Sequence, residues 1–323
     1  MTDVGNDVLV LAEQAGGQIQ DSTYELLGQA RELARAWGGK AEVTLFGPPE
    51  AASQLTGADA VISVDHPLLS GYLPEAYEKA LLQLLRERSP RLLLMSNATI
   101  GMDQGAALSV LWDAPLAASV TGLTSEGETL VATCQVLGGK VLAEVALDGE
   151  RAICTVIAGS FDPAAGQAAG TPDVIAVPPP TDLDAVRMSM QQMFEPEAGD
   201  VDITTADLLV SVGRGIGSQD NLELVTELAD TLGAPVSASR PVTDSGWLPK
   251  TRQVGKSGLK VKPRAYLAFG ISGAPEHLEG MRGAELIIAC NTDPDAPIFD
   301  VAHYGTTVDL FDLVPALTEQ LSQ

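Results

Sequence analysis

The chain is poor in positive charge, which excludes two classes of partner. Only 19 of its 323 residues are Lys or Arg, against 43 Asp or Glu, so the formal net charge is −24 at pH 7. A surface of this sign repels phosphate-rich polymers and anionic lipids, which argues against nucleic acid or a membrane surface as the partner. No apolar run approaches the roughly 20 residues that a membrane-spanning helix needs.

Cysteine is also scarce, and its pattern excludes a metal or redox centre. Cys134, Cys154 and Cys290 are far apart and lie in strand-like apolar runs, so they have neither metal-site spacing nor redox-pair spacing. The acidic N-terminus resembles neither a secretory signal nor an Arg-rich transit peptide. These features predict a cytoplasmic protein in a reducing compartment, without a metal site or membrane insertion.

Aromatic residues make up only 4% of the chain, although hydrophobic residues make up 45%. The cores are therefore expected to consist mainly of Ala, Val, Leu and Ile, and the length suits two domains. We predict an N-terminal α/β domain over 1–160, a Pro- and Gly-rich connector over 161–206, and a second α/β domain over 207–323.

Apolar runs of strand length alternate with helical patterns in the first domain, which predicts a mainly parallel sheet flanked by helices. The residues from Ser22 to Glu25 form a predicted capping box for its first helix. From about Pro115 the runs follow one another without helices, and Asp148-Gly149 stands between 141–147 and 151–156 as a hairpin signal. Antiparallel hairpin strands are therefore predicted at the end of this domain.

Polar residues follow each of four predicted strands in the second domain. They are Arg214, the pair Ser239 and Arg240, Ser272 and Asn291. The carboxyl ends of the strands in an open parallel sheet form the edge where ligands bind. Because arginine is rarely buried without a partner, two arginines at this edge predict an anionic ligand.

Other features of this domain have a structural explanation as well as a functional one. The spacing Gly213-x-Gly215-x-Gly217 differs from the dinucleotide fingerprint and suits a tight turn equally well. His277 is compatible with a buried structural histidine or with a ligand contact. Asp309 is compatible with a first-turn helix acid or with a partner for a ribose or ribityl hydroxyl. No Ser/His/Asp arrangement is visible, so hydrolysis has no support.

Six motifs in this domain carry a resemblance to a known family. They are SVGRGIG, ASRPVTDSGWLP, QVGKSG, YLAFGISGAPEHLEGM, IIACNTDPDAPIF and YGTTVDLFDLVPALTE. In this order and at this spacing, the chain resembles the alpha subunit of the electron-transferring flavoprotein, closely from about Asp207 to Glu319. The first 200 or so residues fit the N-terminal α/β domain of that family less distinctively.

The resemblance implies that the C-terminal domain binds FAD. Arg240 would lie against the flavin ring, the Ser257 hydroxyl would face its N5, and His277 would face its N1/C2 edge. The Ser272 turn and Asn291 would hold the pyrophosphate and adenosine side. The residues implied to line the site are Arg214, Ser239, Arg240, Val254, Gly255, Lys256, Ser257, Ser272, Gly273, Ala274, Pro275, Glu276, His277, Asn291, Asp309 and Leu310.

The chain departs from the family at three of these positions. Lys256 and Glu276 stand where the family commonly has Gln, and Ser257 stands where Thr is common. Ser257 keeps the hydroxyl, while the added cation and anion have opposing effects on a nearby flavin. From the resemblance we hypothesise that Arg240 and His277 together stabilise negative charge on the reduced flavin.

The resemblance also implies a partner and a role. The chain would pair with a beta subunit through its N-terminal domain and act as an electron carrier rather than an enzyme. Electrons would pass from flavin dehydrogenases to an acceptor, either a quinone oxidoreductase or a ferredoxin-type protein. One alternative is the alpha subunit of an NADH-using, electron-bifurcating flavoprotein. A more distant one is a non-redox nucleotide-binding subunit, and a nicotinamide-dependent dehydrogenase is disfavoured by the glycine spacing.

Overall fold

The computed structural model describes residues 5–15, 17–137, 139–191 and 201–322. The chain divides into two compact units, Met1–Met193 and Phe194–Gln323, which we call the first and second units. Within the described ranges, no helix has the length and apolar character needed to cross a membrane.

The described residues of the first unit contain a nine-stranded sheet, a small two-stranded sheet and three α-helices. The strands are β1 Val8–Leu11, β2 Gln14–Ala15, β3 Gln18–Ile19, β4 Ala41–Phe46, β5 Ala60–Val64, β6 Leu92–Ser96, β7 Leu116–Glu126, β8 Thr129–Val136, β9 Val141–Leu147, β10 Ala152–Val156 and β11 Asp173–Ala176. The α-helices are α1 Asp21–Trp37, α2 Pro74–Arg88 and α3 Thr99–Leu111. The large sheet has the order β11-β5-β4-β1-β6-β10-β7-β8-β9.

The sheet is parallel from β11 to β7 and antiparallel from β7 to β9. Strands β1, β4, β5, β6 and β10 are buried at every residue, as expected for a parallel sheet covered on both faces. Helix α1 packs on one face of the sheet, and α2 and α3 pack on the other. The core therefore consists mainly of Ala, Val, Leu and Ile, as the composition of the sequence predicts.

The predicted capping box at the start of α1 is wrong. The helix begins at Asp21 after Gln20, which makes no side-chain cap. The Glu25 carboxylate instead accepts hydrogen bonds from the backbone N–H groups of Gly159, at 2.8 and 3.0 Å, and Phe161, at 3.3 Å. A tertiary contact more than 130 residues away in sequence thus uses the carboxylate that the local pattern assigned to the helix end.

The hairpin predicted at Asp148-Gly149 is also wrong. Strand β10 does not pair with β9; it lies between β6 and β7 and is parallel to both. Strand β8 pairs antiparallel with β9 and with β7, and β7 is a strand that the sequence analysis did not assign. All five residues of β10 are buried, and a strand covered on both faces belongs inside the sheet rather than at its edge.

Part of the segment predicted as a connector, 161–206, belongs to the first sheet. Strand β11 pairs in parallel with β5 at the sheet edge. It consists of only four residues, so the surrounding Pro and Gly residues concealed it in the sequence. Residues 192–200 of this segment lie outside the described ranges, and the predicted domain boundaries remain a prediction.

The second unit is a smaller, entirely parallel α/β layer structure. Its strands are β12 Leu208–Val212, β13 Val236–Ala238, β14 Ala265–Phe269, β15 Leu286–Cys290 and β16 Tyr304–Thr306, and its α-helices are α4 Leu222–Leu232, α5 Arg240–Asp244, α6 Pro275–Met281 and α7 Leu310–Leu321. The described strands have the order β13-β12-β14-β15-β16. Helices α4 and α7 pack on one face, and α6 packs on the other.

This strand order places a topological switch point between β12 and β14, because the chain passes from β12 to β13 on one side and then returns past β12 to β14 on its other side. Ligands bind at such points, at the carboxyl ends of the strands. The predicted α/β class is confirmed, with a mainly parallel sheet in each unit and antiparallel strands at the end of the first.

Candidate functional site

The backbones that leave β12 and β14 touch at the switch point. The N–H of Gly213 donates to the carbonyl of Phe269 at 2.9 Å, and the N–H of Gly215 donates to the carbonyl of Gly270 at 3.0 Å. A Cβ at Gly213 would lie 2.3 Å from the Gly270 oxygen. Close packing of two chain segments therefore explains these glycines, and Arg214 lies exposed between them.

Strand β13 delivers the second arginine. Ser239 is buried at the strand end, and the short helix α5 begins with the exposed Arg240. The Arg240 Nε lies 3.0 Å from Oδ2 of Asp244, one turn later. An ion pair between two exposed side chains is weak, so this guanidinium remains available to an anionic ligand.

The loop 253–259 is fixed between β13 and α6. The Val254 N–H donates to the carbonyl of Ala238 at 2.9 Å, and the Lys256 N–H donates to that of Glu276 at 2.7 Å. Gly255 packs so closely on α6 that a Cβ at Gly280 would lie 2.4 Å from its nitrogen. The loop therefore presents the exposed residues Lys256 and Ser257 beside the start of α6.

The turn after β14 exposes a group of unpartnered backbone donors. Gly273 has φ +85°, and the Ser272 carbonyl accepts from the Ile298 N–H at 3.0 Å. The N–H groups of Ser272, Gly273 and Ala274 have no acceptor among the described residues. Ser272 and Ala274 are exposed, as are Pro275 and Glu276 in the first turn of α6. Oriented donors of this kind suit an anionic oxygen.

His277 points into the core of the second unit. Its Nδ1 lies 3.1 Å from the Val254 carbonyl and its Nε2 lies 3.1 Å from the hydroxyl of the fully buried Tyr266. That hydroxyl also lies 2.6 Å from Ser211 Oγ. Since a carbonyl only accepts, Nδ1 carries the hydrogen and Nε2 accepts from Tyr266.

Burial lowers the pKa of His277 to about 4, against a smaller opposing effect of the bond to Val254. The ring is therefore neutral near pH 7 and both of its nitrogens are occupied by protein groups. A neutral ring adds no positive charge beside a ligand, and the expected contact of His277 with the flavin stays a prediction. Its position in the structure is that of a core histidine that holds the loop 253–259.

Two of the last three predicted site residues, Asn291 and Asp309, bind backbone groups at this edge. The Asn291 amide donates to the Ile271 carbonyl at 2.9 Å, and its oxygen accepts from the Asp293 N–H at 2.9 Å. Asp309 caps α7 by accepting from the Phe311 N–H at 3.0 Å. Leu310 is buried behind them.

Two residues that the sequence analysis did not single out connect these elements. Gln253 lies within hydrogen-bond distance of both Thr243 and Ser257, and Tyr266 holds His277. Gln253 lies in the QVGKSG motif and Tyr266 in a fully buried strand position. The sequence signal for Tyr266 was a hydroxyl in an otherwise apolar run, and the signal for Gln253 was its place in the motif.

Comparisons with known proteins match each unit of the chain to a family model. Residues 8–182 match the family model "Electron transfer flavoprotein domain", and residues 202–282 match "Electron transfer flavoprotein FAD-binding domain". The chain is 36% identical over 323 residues to an electron transfer flavoprotein subunit alpha from Thermoanaerobacterium thermosaccharolyticum, with 98% of each chain covered. The subunit alpha from Methylophilus methylotrophus is 35% identical, with 98% of this chain and 99% of the relative covered.

The chain belongs to the electron transfer flavoprotein alpha-subunit family. The resemblance seen in its motifs is thereby confirmed, and its function is that of an electron-carrying subunit that binds a flavin. Protein FixB from Azotobacter vinelandii is also 35% identical, with 97% of this chain and 90% of the relative covered. The FAD-binding model spans the region from Arg214 to His277, which lies around the switch point.

Proposed function

We propose that this chain binds FAD at the carboxyl edge of the second sheet and passes electrons between flavin dehydrogenases and an acceptor oxidoreductase. The acceptor is a quinone oxidoreductase or a ferredoxin-type protein, the compartment is the cytoplasm, and the chain acts with a beta subunit. The observation that carries the proposal is the convergence of exposed cations and unpartnered backbone donors around one switch point, between β12 and β14.

The residues at this edge fit an extended anionic dinucleotide. Arg214, Arg240 and Lys256 are exposed cations on three different loops, and the 272–274 turn offers three backbone N–H groups. In the proposal, the turn and Arg214 face the pyrophosphate, while Arg240 and the loop that carries Lys256 face the ring system. When bound, FAD supplies one-electron and two-electron redox chemistry.

The protein side of the electron transfer is electrostatic and positional. The Arg240 guanidinium is a positive charge that favours negative charge on a group that lies against it. Ser257 offers a hydroxyl from the fixed loop 253–259. Lys256 and Glu276 add charges of opposite sign beside it, and neutral His277 fixes the loop from the core. The remaining members of the proposed site are Ser239, Val254, Gly255, Gly273, Ala274, Pro275, Asn291, Asp309 and Leu310.

Replacing Arg240 with Ala is expected to lower the midpoint potential of bound FAD. The expected decrease is about 20–40 mV for a one-electron couple, which corresponds to about 0.5–1 kcal/mol for an exposed charge contact. Reductive titration of the purified heterodimer measures it. The matched control is Arg282→Ala, another exposed arginine of the second unit, beyond the far end of α6. Equal potentials in R240A and the parent protein would remove Arg240 from the site.

The first unit carries the proposed contact with the beta subunit. Helix α3 is apolar around most of its circumference, and a helix of this kind is normally buried. Yet Met102 is 47%, Val110 79% and Leu111 43% exposed. The tip of the β8–β9 ribbon adds the exposed apolar residue Leu142. A partner surface would cover this apolar area.

Replacing Val110 with Asp is therefore expected to weaken the heterodimer at least tenfold, because a carboxylate would be buried in an apolar contact. The binding constant of the two subunits, measured by analytical ultracentrifugation or titration calorimetry, gives the effect. Val174→Asp is the control, since Val174 is also exposed, at 46%, but lies on strand β11 at the opposite edge of the sheet. An equal loss in both variants would mean that α3 has no special part in the contact.

The cofactor and its number decide between the proposal and its alternatives. The co-expressed heterodimer is expected to be yellow, to bleach on reduction and to release FAD on denaturation. One FAD per heterodimer supports a simple carrier, and two support the electron-bifurcating alternative with NADH as a donor. A colourless complex filled with another nucleotide would favour the non-redox subunit.

A further inference from the structure

We infer that Gln253 is a positioning residue, which orients the hydroxyl of Ser257 so that its hydrogen points out of the protein towards FAD. The inference rests on the proposed function, because it takes Ser257 as a contact of the cofactor. The inference goes beyond the proposed function, because it says that the buried side chain of Gln253 sets the direction of the hydrogen bond between Ser257 and FAD.

Gln253 is the first residue of the loop 253–259, which also carries Ser257, and its backbone is held in place. Gln253 is only 4% exposed, whereas Ser257 is exposed. The Gln253 carbonyl accepts from the Leu259 N–H at 2.7 Å, and its N–H donates to the Lys250 carbonyl at 3.1 Å. A Cβ at Gly258 would lie 2.4 Å from the Gln253 carbonyl oxygen. The backbone around the amide therefore has little freedom to move.

The two ends of the amide have different partners. The Thr243 hydroxyl donates to the Gln253 Oε1 at 2.7 Å, and the Gln253 Nε2 donates to Ser257 Oγ at 3.0 Å. An amide that turns its oxygen to Thr243 must turn its NH₂ group to Ser257, where the serine oxygen acts as acceptor. The single hydrogen of the Ser257 hydroxyl then has no acceptor among the described residues and is directed outward.

The same chain of hydrogen bonds couples Ser257 to the element that carries Arg240. Thr243 lies on α5, which begins at Arg240. Its hydroxyl has one hydrogen, which the shorter contact of 2.7 Å assigns to Gln253 Oε1, so the Arg240 carbonyl, 3.0 Å away, is not a second acceptor. Gln253 thus joins two segments that the proposed function places around the same ring system. A buried, fully paired amide keeps such segments at one separation, because breaking either bond leaves a buried polar atom without a partner.

The test replaces Gln253 with Glu in the complete heterodimer. The substitution keeps the shape and the acceptor for Thr243 but removes the NH₂ donor, so the Ser257 hydroxyl must donate inward. We expect the dissociation constant of FAD to rise about five- to tenfold, the effect of one hydrogen bond, and the visible absorption spectrum of bound FAD to shift as in Ser257→Ala. The double variant Q253E/S257A is expected to match S257A alone, because both changes remove the same bond.

The outcomes separate this inference from the proposed function. An FAD affinity and spectrum unchanged in S257A would remove Ser257 from the site and overturn this inference, whereas a parent heterodimer that retains no FAD would overturn the proposed function. A clear effect of S257A with none in Q253E, or full additivity in the double variant, would overturn the role of Gln253 alone. Thr243→Val tests the other end of the chain if Q253E fails to fold. In T243V the amide of Gln253 can rotate freely, so FAD binding is expected to be weaker than in the parent protein. The double variant T243V/S257A is expected to bind FAD as S257A does. Additive effects of T243V and S257A would also overturn the role of Gln253.

Discussion

Replacing Gly273 with Ala is expected to destabilise the second unit by more than about 3 kcal/mol and to abolish flavin retention. Gly273 has φ +85°, a backbone conformation that costs a residue with a Cβ about 1–2 kcal/mol. The new Cβ would lie 2.2 Å from the Ile298 nitrogen and 2.6 Å from its Cα. Both are backbone atoms, which cannot rotate away as a side chain does, so the turn over residues 272–274 must shift. Urea unfolding and hydrogen exchange of peptides from residues 265–310 measure the loss.

Gly233→Ala separates the conformational cost from the steric cost. Gly233 ends α4 with φ +61°, and nothing lies within 4 Å of a Cβ built there. It is expected to lose only about 1 kcal/mol and to keep its flavin. If the two variants lose the same stability, the contact with Ile298 is not what requires glycine at 273.

Acidification is expected to destabilise the second unit by about 3 kcal/mol, through protonation of His277. The pKa of this histidine is lowered by burial to about 4 from an ordinary value near 6.5. Between these values the unfolded chain binds a proton that the folded unit excludes. The stabilisation is therefore complete above pH 6.5 and is lost as the pH falls through about 4. Hydrogen exchange of the loop 253–259 and of α6, followed from pH 7 to 4, measures the loss.

His277→Gln is the matched control, because its amide keeps a donor for the Val254 carbonyl but does not titrate. Its pH dependence is expected to be flatter over the same range, and a profile identical to that of the parent protein would exclude His277 as the cause. The measurement must resolve the second unit, because a partly buried carboxyl group in the first unit, that of Glu13, changes stability with pH in the opposite direction. Burial raises the pKa of Glu13 to about 7, so its contribution is complete below about 4.5 and is lost as the pH rises through 7.

Strands and helices made of contiguous apolar runs were predicted well from the sequence. The bounds of β9, Val141–Leu147, agree with the predicted run 141–147, because the length of an apolar run is a local property. The two errors in the first unit have a different origin. The carboxylate of Glu25 and the strand β10 each found partners far away in the chain, and the local signals were equally compatible with a cap and a hairpin.

The candidate site shows the same division. The sequence placed Arg214, Arg240 and Ser272 at one sheet edge, and the structure has all three at the carboxyl ends of neighbouring strands. It could not tell that Asp309 is a helix cap, or that Asn291 ties two turns together. The roles of Asp309 and Asn291 depend on which backbone groups lie within hydrogen-bond distance of their side chains, and the sequence does not give these partners.

By itself, the sequence determined the α/β class, the family and the elements that meet at the proposed flavin-binding edge, because apolar periodicity and motif spacing are properties of the chain alone. Only the tertiary structure decided that His277 is neutral and faces the core, that Gln253 stands between Thr243 and Ser257, and that β10 lies inside its sheet. The physical reason is that the charge state and hydrogen-bond partners of a buried group depend on atoms that are distant in sequence and close in space.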